Sequence, residues 1–115
     1  MNYETARKLL IDQTIITSEN SETLFMRMQQ GKPPIPGQIT SILLACRVVF
    51  EAIKDNNSID RELVYALYQL SIKTQQIFAA GRKIGIEWPP LLKEDLLRIA
   101  QGVESIFSGE WHSLH

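Results

Sequence analysis

SIDRELVYALYQLSIKTQQIFAAGRKIG, residues 58–85, is the stretch whose reading decides the fold. Ser58 is a good helix N-cap, and Asp60 and Glu62 put negative charge in the first turn, where the helix dipole favours it. Gly85 suits the left-handed position just past a helix end. Between these ends Leu63, Leu70, Ile77 and Ile84 recur at seven-residue steps, with Leu67, Thr74 and Gly81 beside them. That spacing predicts a helix with one apolar stripe. Tyr65, Tyr68, Ile72 and Ala79 form a second row on a different face. A helix apolar on two faces is expected to lie centrally, with neighbours on both sides.

Outward from this rod, the pattern predicts an all-α fold: a compact bundle of four to five helices around a long central helix, about 58–85. Upstream, a helix is expected from Gln38 to about Asp55, with Ile39, Ile42, Leu43, Cys46, Val49, Phe50 and Ile53 on one face. Asn56-Asn57 then allows a reversal, and so short a link predicts antiparallel neighbours. Downstream, Ile86-Glu87-Trp88-Pro89-Pro90 is a proline-bearing connector. A last helix follows from about Pro90 to Ser108, with Leu92, Leu96, Ile99, Val103, Ile106 and Phe107 inward and Gly109 as its stop.

At the other end, Asn2 caps a helix expected to reach about Thr17, with Ala6, Leu9, Leu10 and Ile16 on one face. Residues 17–23 are all polar, and the Ser and Asn among them compete for backbone groups, so a break or exposed bend is expected there rather than a buried turn. Leu24, Phe25 and Met28 mark a short helix ended by Gly31. Lys32-Pro33-Pro34-Ile35-Pro36-Gly37 cannot be helical, because each proline lacks a donor and pushes its predecessor toward extended backbone. Residues 1–109 therefore read as one domain. Residues 110–115 read as a tail anchored only by Trp111 and Leu114.

The balance of 12 Lys and Arg against 13 Asp and Glu argues against a nucleic-acid binder, whose affinity would rest on excess positive charge. A single cysteine permits no intrachain disulfide. No apolar run approaches the roughly 20 residues that span a bilayer. The opening Met1 to Thr5 lacks the basic and apolar blocks of a signal peptide, so a cytoplasmic setting without membrane contact is expected.

Groups able to do chemistry are sparse. The two histidines, His112 and His115, both fall in the tail, where ligation is the minor expectation, and no metal or cofactor is expected. Cys46 follows an apolar run and reads as a packed, inert thiol. Glu94-Asp95 and Asp60 with Glu62 sit in first turns, where dipole compensation accounts for them. Gly81-Arg82-Lys83-Ile84-Gly85 is a helix end with basic residues and lacks the order of a phosphate loop. No catalytic residue is assigned.

If the helices from Gln38 and Ser58 run antiparallel, the two proline connectors share one pole. Ile35, Ile86 and Trp88 would then stand among Lys32, Arg82, Lys83 and Lys93. The expected function is a non-enzymatic module that binds another protein through this pole. Trp and Arg are enriched at interface centres, although Trp88 folded down to seal the bundle end is the more economical reading of that residue. The alternative is a small-molecule enzyme or ligand-binding protein with Arg61, Tyr65 and Tyr68 in an interhelical pocket. A homodimer through Tyr65, Tyr68, Ile72 and Ala79 is a third expectation.

Several stretches together resemble a small all-helical cyanobacterial family of unassigned function. They are residues 31–38 (GKPPIPGQ), 60–63 (DREL), 80–83 (AGRK), 88–92 (WPPLL) and 106–111 (IFSGEW). Some members of that family carry the label dethiobiotin synthetase, which implies ATP-dependent carboxylation and ring closure in biotin synthesis. Those enzymes are larger α/β proteins built around a phosphate loop. This sequence has neither the loop nor a convincing strand, so the label is read as a misassignment.

Overall fold

A computed structural model describes residues 1–16 and 22–112, which form α1 (Tyr3–Asp12), α2 (Leu24–Gln29), α3 (Gln38–Ile53), α4 (Arg61–Tyr68), α5 (Thr74–Lys83) and α6 (Leu92–Ser108). A π-helical turn, Gln69–Lys73, joins α4 to α5 without a break, so the two make one long rod. No strand occurs among the described residues, and the protein is an all-α bundle. Its radius of gyration, 13.8 Å, matches the ~13 Å of a compact chain of this size.

Local signals set most boundaries. Asn2, Thr23 and Asp60 cap α1, α2 and α4, each side-chain oxygen accepting from the backbone N–H three residues on. The long rod thus starts at Asp60, not at Ser58, because the carboxylate of Asp60 takes the Leu63 N–H at 2.9 Å. α1 stops near Asp12, well short of Thr17: the Thr14 hydroxyl donates to the Ile11 carbonyl, and the chain turns away. Ile16 is consequently exposed and lies off the buried face. α6 begins two residues later than the prolines imply, after a turn in which the Leu92 N–H donates to the Pro89 carbonyl.

Of the expected break at 17–23, residues 17–21 lie outside the described residues. Thr23 departs from the expectation of an exposed bend. It is buried, and its hydroxyl donates to the Ile15 carbonyl while accepting from Met26. A polar knot holds this corner. The Gln38 amide donates to the Gln13 side chain (2.9 Å) and to the Glu22 carbonyl (2.8 Å), and its oxygen accepts from the Ile35 N–H. Gln13 in turn accepts the Leu24 N–H. One side chain at the start of α3 thereby ties together the end of α1, the start of α2 and the first proline connector.

The rods form a ring. α3 packs mainly against α1 and α6, while the long rod packs against α1 and α2 on one side and α6 on the other. α3 and the long rod run antiparallel, as the sequence implies, but they face each other diagonally across the core and are not packing neighbours. α3 and α6 run parallel: their first turns meet at Ile39 and Leu92, and their ends meet where Gly109 lies against the Lys54 carbonyl. Gly102 of α6 permits this close approach, since a Cβ there would stand 3.1 Å from the Cβ of Cys46. The core inside the ring includes Leu10, Phe25, Ile42, Leu63, Leu96 and Ile99, all essentially sealed from solvent. Each such side chain contributes roughly 1.5–3 kcal/mol before ordering costs.

The π turn interrupts the α-helical pattern of the long rod, yet Leu67, Thr74 and Gly81 stay buried at seven-residue steps across it. The turn holds an extra residue in its hydrogen-bonded ring. Leu63 and Leu70 are buried, Ile77 is half-buried, and Ile84, the last member of the expected stripe, is 79% exposed. The Thr74 hydroxyl, buried on this turn, donates to the Leu70 carbonyl at 2.6 Å. The second row is not buried either: Tyr65, Tyr68, Ile72 and Ala79 all face solvent. The long rod meets its neighbours through a single apolar face.

Candidate functional site

The two proline connectors meet at one end of the ring. Ile86 lies against Gly31, where an added Cβ would come within 3.0 Å of its Cδ1. Pro89 and Leu91 border the same groove as Pro34, Ile35 and Pro36, a recess of about 260 Å³ over the first turns of α3 and α6. Arg27 holds the first connector in place, its Nε donating to the Pro33 carbonyl at 2.9 Å.

Trp88 is half-buried and folds back on α5. Its indole N–H donates to the Phe78 carbonyl at 3.0 Å, and its ring lies 5.9 Å from that of Phe78, 20° from parallel. Gly81 makes room for it, because a Cβ there would stand 2.7 Å from Cζ2 of the indole. Trp88 thus clamps the second connector to the bundle. The exposed apolar side chains at this pole are instead Ile84 and Leu91, the latter 63% exposed. The heptad spacing puts Ile84 on the expected buried stripe, and no local signal singles out Leu91. Ile84 is exposed because α5 ends at Lys83 and leaves it at the C-cap, and Leu91 because of the path of the connector.

Four cations belong to the same end of the bundle. Lys32, Arg82, Lys83 and Lys93 are exposed, and none has a carboxylate within ion-pair distance among the described residues. Arg82 lies over the Phe78 ring, 5.9 Å from its centroid. Elsewhere most cations are paired, Arg61 and Lys73 excepted. Arg7 donates to both Asp60 and Glu62, and Arg47 and Lys54 both reach Glu51. The seven residues named from sequence therefore divide. Lys32, Arg82, Lys83 and Lys93 face solvent, Ile35 and Ile86 are partly covered, and Trp88 is committed to packing.

The other candidates fall apart spatially. Arg61, Tyr65 and Tyr68 are exposed on α4; Tyr68 borders a depression between the long rod and α6 whose lining includes neither Arg61 nor Tyr65. Cys46 is sealed between α3 and α6, and burial pushes its thiol pKa up to about 12, which leaves no thiolate at neutral pH. The start of the tail is docked. Trp111 meets Phe50 edge-on at 5.2 Å under the Arg47 guanidinium, which lies 4.4 Å from the indole centroid. The His112 N–H donates to the Ser105 hydroxyl at 2.7 Å, and its ring Nε2 lies 3.1 Å from Ser108 Oγ. No group of three potential metal ligands occurs among the described residues. No helix among them is long and apolar enough to cross a membrane. Comparison of the chain with family models, curated proteins and solved structures finds no match.

Proposed function

We propose that this chain is a non-enzymatic helical module that binds another protein through the pole built from the 31–37 and 85–90 connectors. The observation carrying this reading is that four cations without carboxylate partners and the exposed Ile84 and Leu91 belong to this one end of the bundle. An exposed aliphatic centre rimmed by charge is the composition expected of a protein-binding patch. A cytoplasmic setting goes with this reading, since Cys46 is kept as a buried thiol. The test is site-specific photocrosslinking in extract of the native cell. A crosslinker at position 84 or 91 should capture a discrete partner, and one at Leu44, an exposed leucine of α3, should not. Equal capture at position 44, or none at 84 and 91, removes the pole from the account.

A second reading, a homodimer through Tyr65, Tyr68, Ile72 and Ala79, is favoured by the exposure of that row. Sedimentation would show a dimeric mass that Ile72→Glu returns to that of the monomer.

A further inference from the structure

The seam between the long rod and α6 opens outward along its length. In its first half Tyr68 and Ile72 face Val103 and Phe107 across a depression of about 580 Å³. In its second half Phe78 and Ala79 face Leu96 and Leu97 across another of about 230 Å³. The lining recurs at helical spacing on both walls, so the two depressions form one trough. From Tyr68 to Arg82 it is about 21 Å long, taking 1.5 Å per residue, or four turns. Phe107, Tyr68, Ile72 and Leu97 remain substantially exposed along it.

The charges bordering the trough are sorted by end. Arg82 and Lys93 flank the mouth nearest the proline connectors, one on each wall. Glu104 borders the far half. None of the three has an ion-pair partner among the described residues. A docked helix fits this arrangement in one direction. Its C-terminal end, negative through the dipole and through any acidic side chains, belongs between Arg82 and Lys93, and its positive N-terminal end belongs at Glu104.

We infer that the trough between the long rod and α6 receives an amphipathic helix of about 14 residues from a partner protein, acidic at its C-terminal end and running parallel to the long rod. This rests on the reading of the chain as an interaction module and names the chemistry of what it binds. The apolar stripe of the incoming helix covers Tyr68, Ile72, Leu97 and Phe107, and its carboxylates meet Arg82 and Lys93 at the pole.

The probes are three fluorescein-labelled synthetic helices of 14 residues with the same leucine stripe, followed by fluorescence anisotropy. One carries two glutamates at its C-terminal end, one carries two lysines there, and one carries the glutamates at its N-terminal end. The first should bind at least tenfold more tightly than either of the others. The third is the stringent control, because acidic residues at a helix N-terminus strengthen the free helix and yet should weaken binding. In the doubly reversed variant Arg82→Glu with Lys93→Glu, whose side chains are exposed, the order of the first two peptides should invert. Equal binding of all three, no binding, or an order unmoved by charge reversal overturns the proposal. A dimeric mass abolished by Ile72→Glu gives the trough to a second copy and overturns it as well. The two readings separate cleanly. Crosslinks at 84 and 91 without peptide discrimination leave the pole and remove the trough. Discrimination without those crosslinks does the reverse.

Discussion

Replacing Gly81 by alanine should destabilise the protein, although the same change in an ordinary exposed helix gains about 1 kcal/mol from helix propensity. Gly81 is buried on α5, and the added methyl would lie 2.7 Å from Cζ2, 3.0 Å from Nε1 and 3.1 Å from Cε2 of Trp88. Those atoms belong to a rigid ring pinned at both ends. The N–H is held by the Phe78 carbonyl and the face by the Phe78 ring, so the indole cannot swing aside cheaply. Displacing it forfeits the hydrogen bond, about 0.5–1.5 kcal/mol, and the ring contact, about 0.5–1.5 kcal/mol. Forcing Trp88 off its rotamer costs a further 0.5–1.5 kcal/mol, roughly. Against the propensity gain, the net loss is on the order of 1–3 kcal/mol. At about 4 °C or more per kcal/mol for a chain of this size, the melting temperature should fall by at least several degrees.

The assay is urea unfolding followed by circular dichroism on wild type, Gly81→Ala, Trp88→Ala and the double variant. With Trp88 removed the clash disappears, and Gly81→Ala should then stabilise by about 1 kcal/mol. The sign of the substitution thus reverses with the identity of residue 88. Stabilisation by Gly81→Ala in the intact protein, or the same effect in both backgrounds, would refute the clamp.

Two further outcomes follow from the ionisable groups. Asp60 has its carboxyl held below the usual range, first by hydrogen bonds from Arg7 and then by the Leu63 N–H, so its stabilising contribution is present above the unfolded Asp pKa of about 3.9 and is lost as pH falls through the lower folded value. Arg7→Met should therefore flatten the fall of melting temperature between pH 5 and about pH 2, and an unchanged acid slope would dissociate Arg7 from that effect. The Cys46 thiol, pushed up to about 12 by burial, should resist Ellman's reagent at pH 8 until urea unfolds the chain; prompt labelling of the native protein would contradict its burial.

Helices, their faces and the two proline breaks were legible from residues alone, because caps, prolines, glycines and apolar period act over a few positions. Even the meeting of the connectors at one pole could be read, since it needs only helix number and direction. Three decisions were made in the packed molecule. The long rod ended at Lys83, leaving Ile84 at its C-cap and on the surface. The ring order put α3 diagonal to that rod and left its tyrosine row facing solvent. Gly81 drew Trp88 down, so the pole presents Ile84, Leu91 and unpaired cations instead of an indole. Each depends on which surface meets which, and a local pattern specifies that a face is apolar without specifying what will cover it.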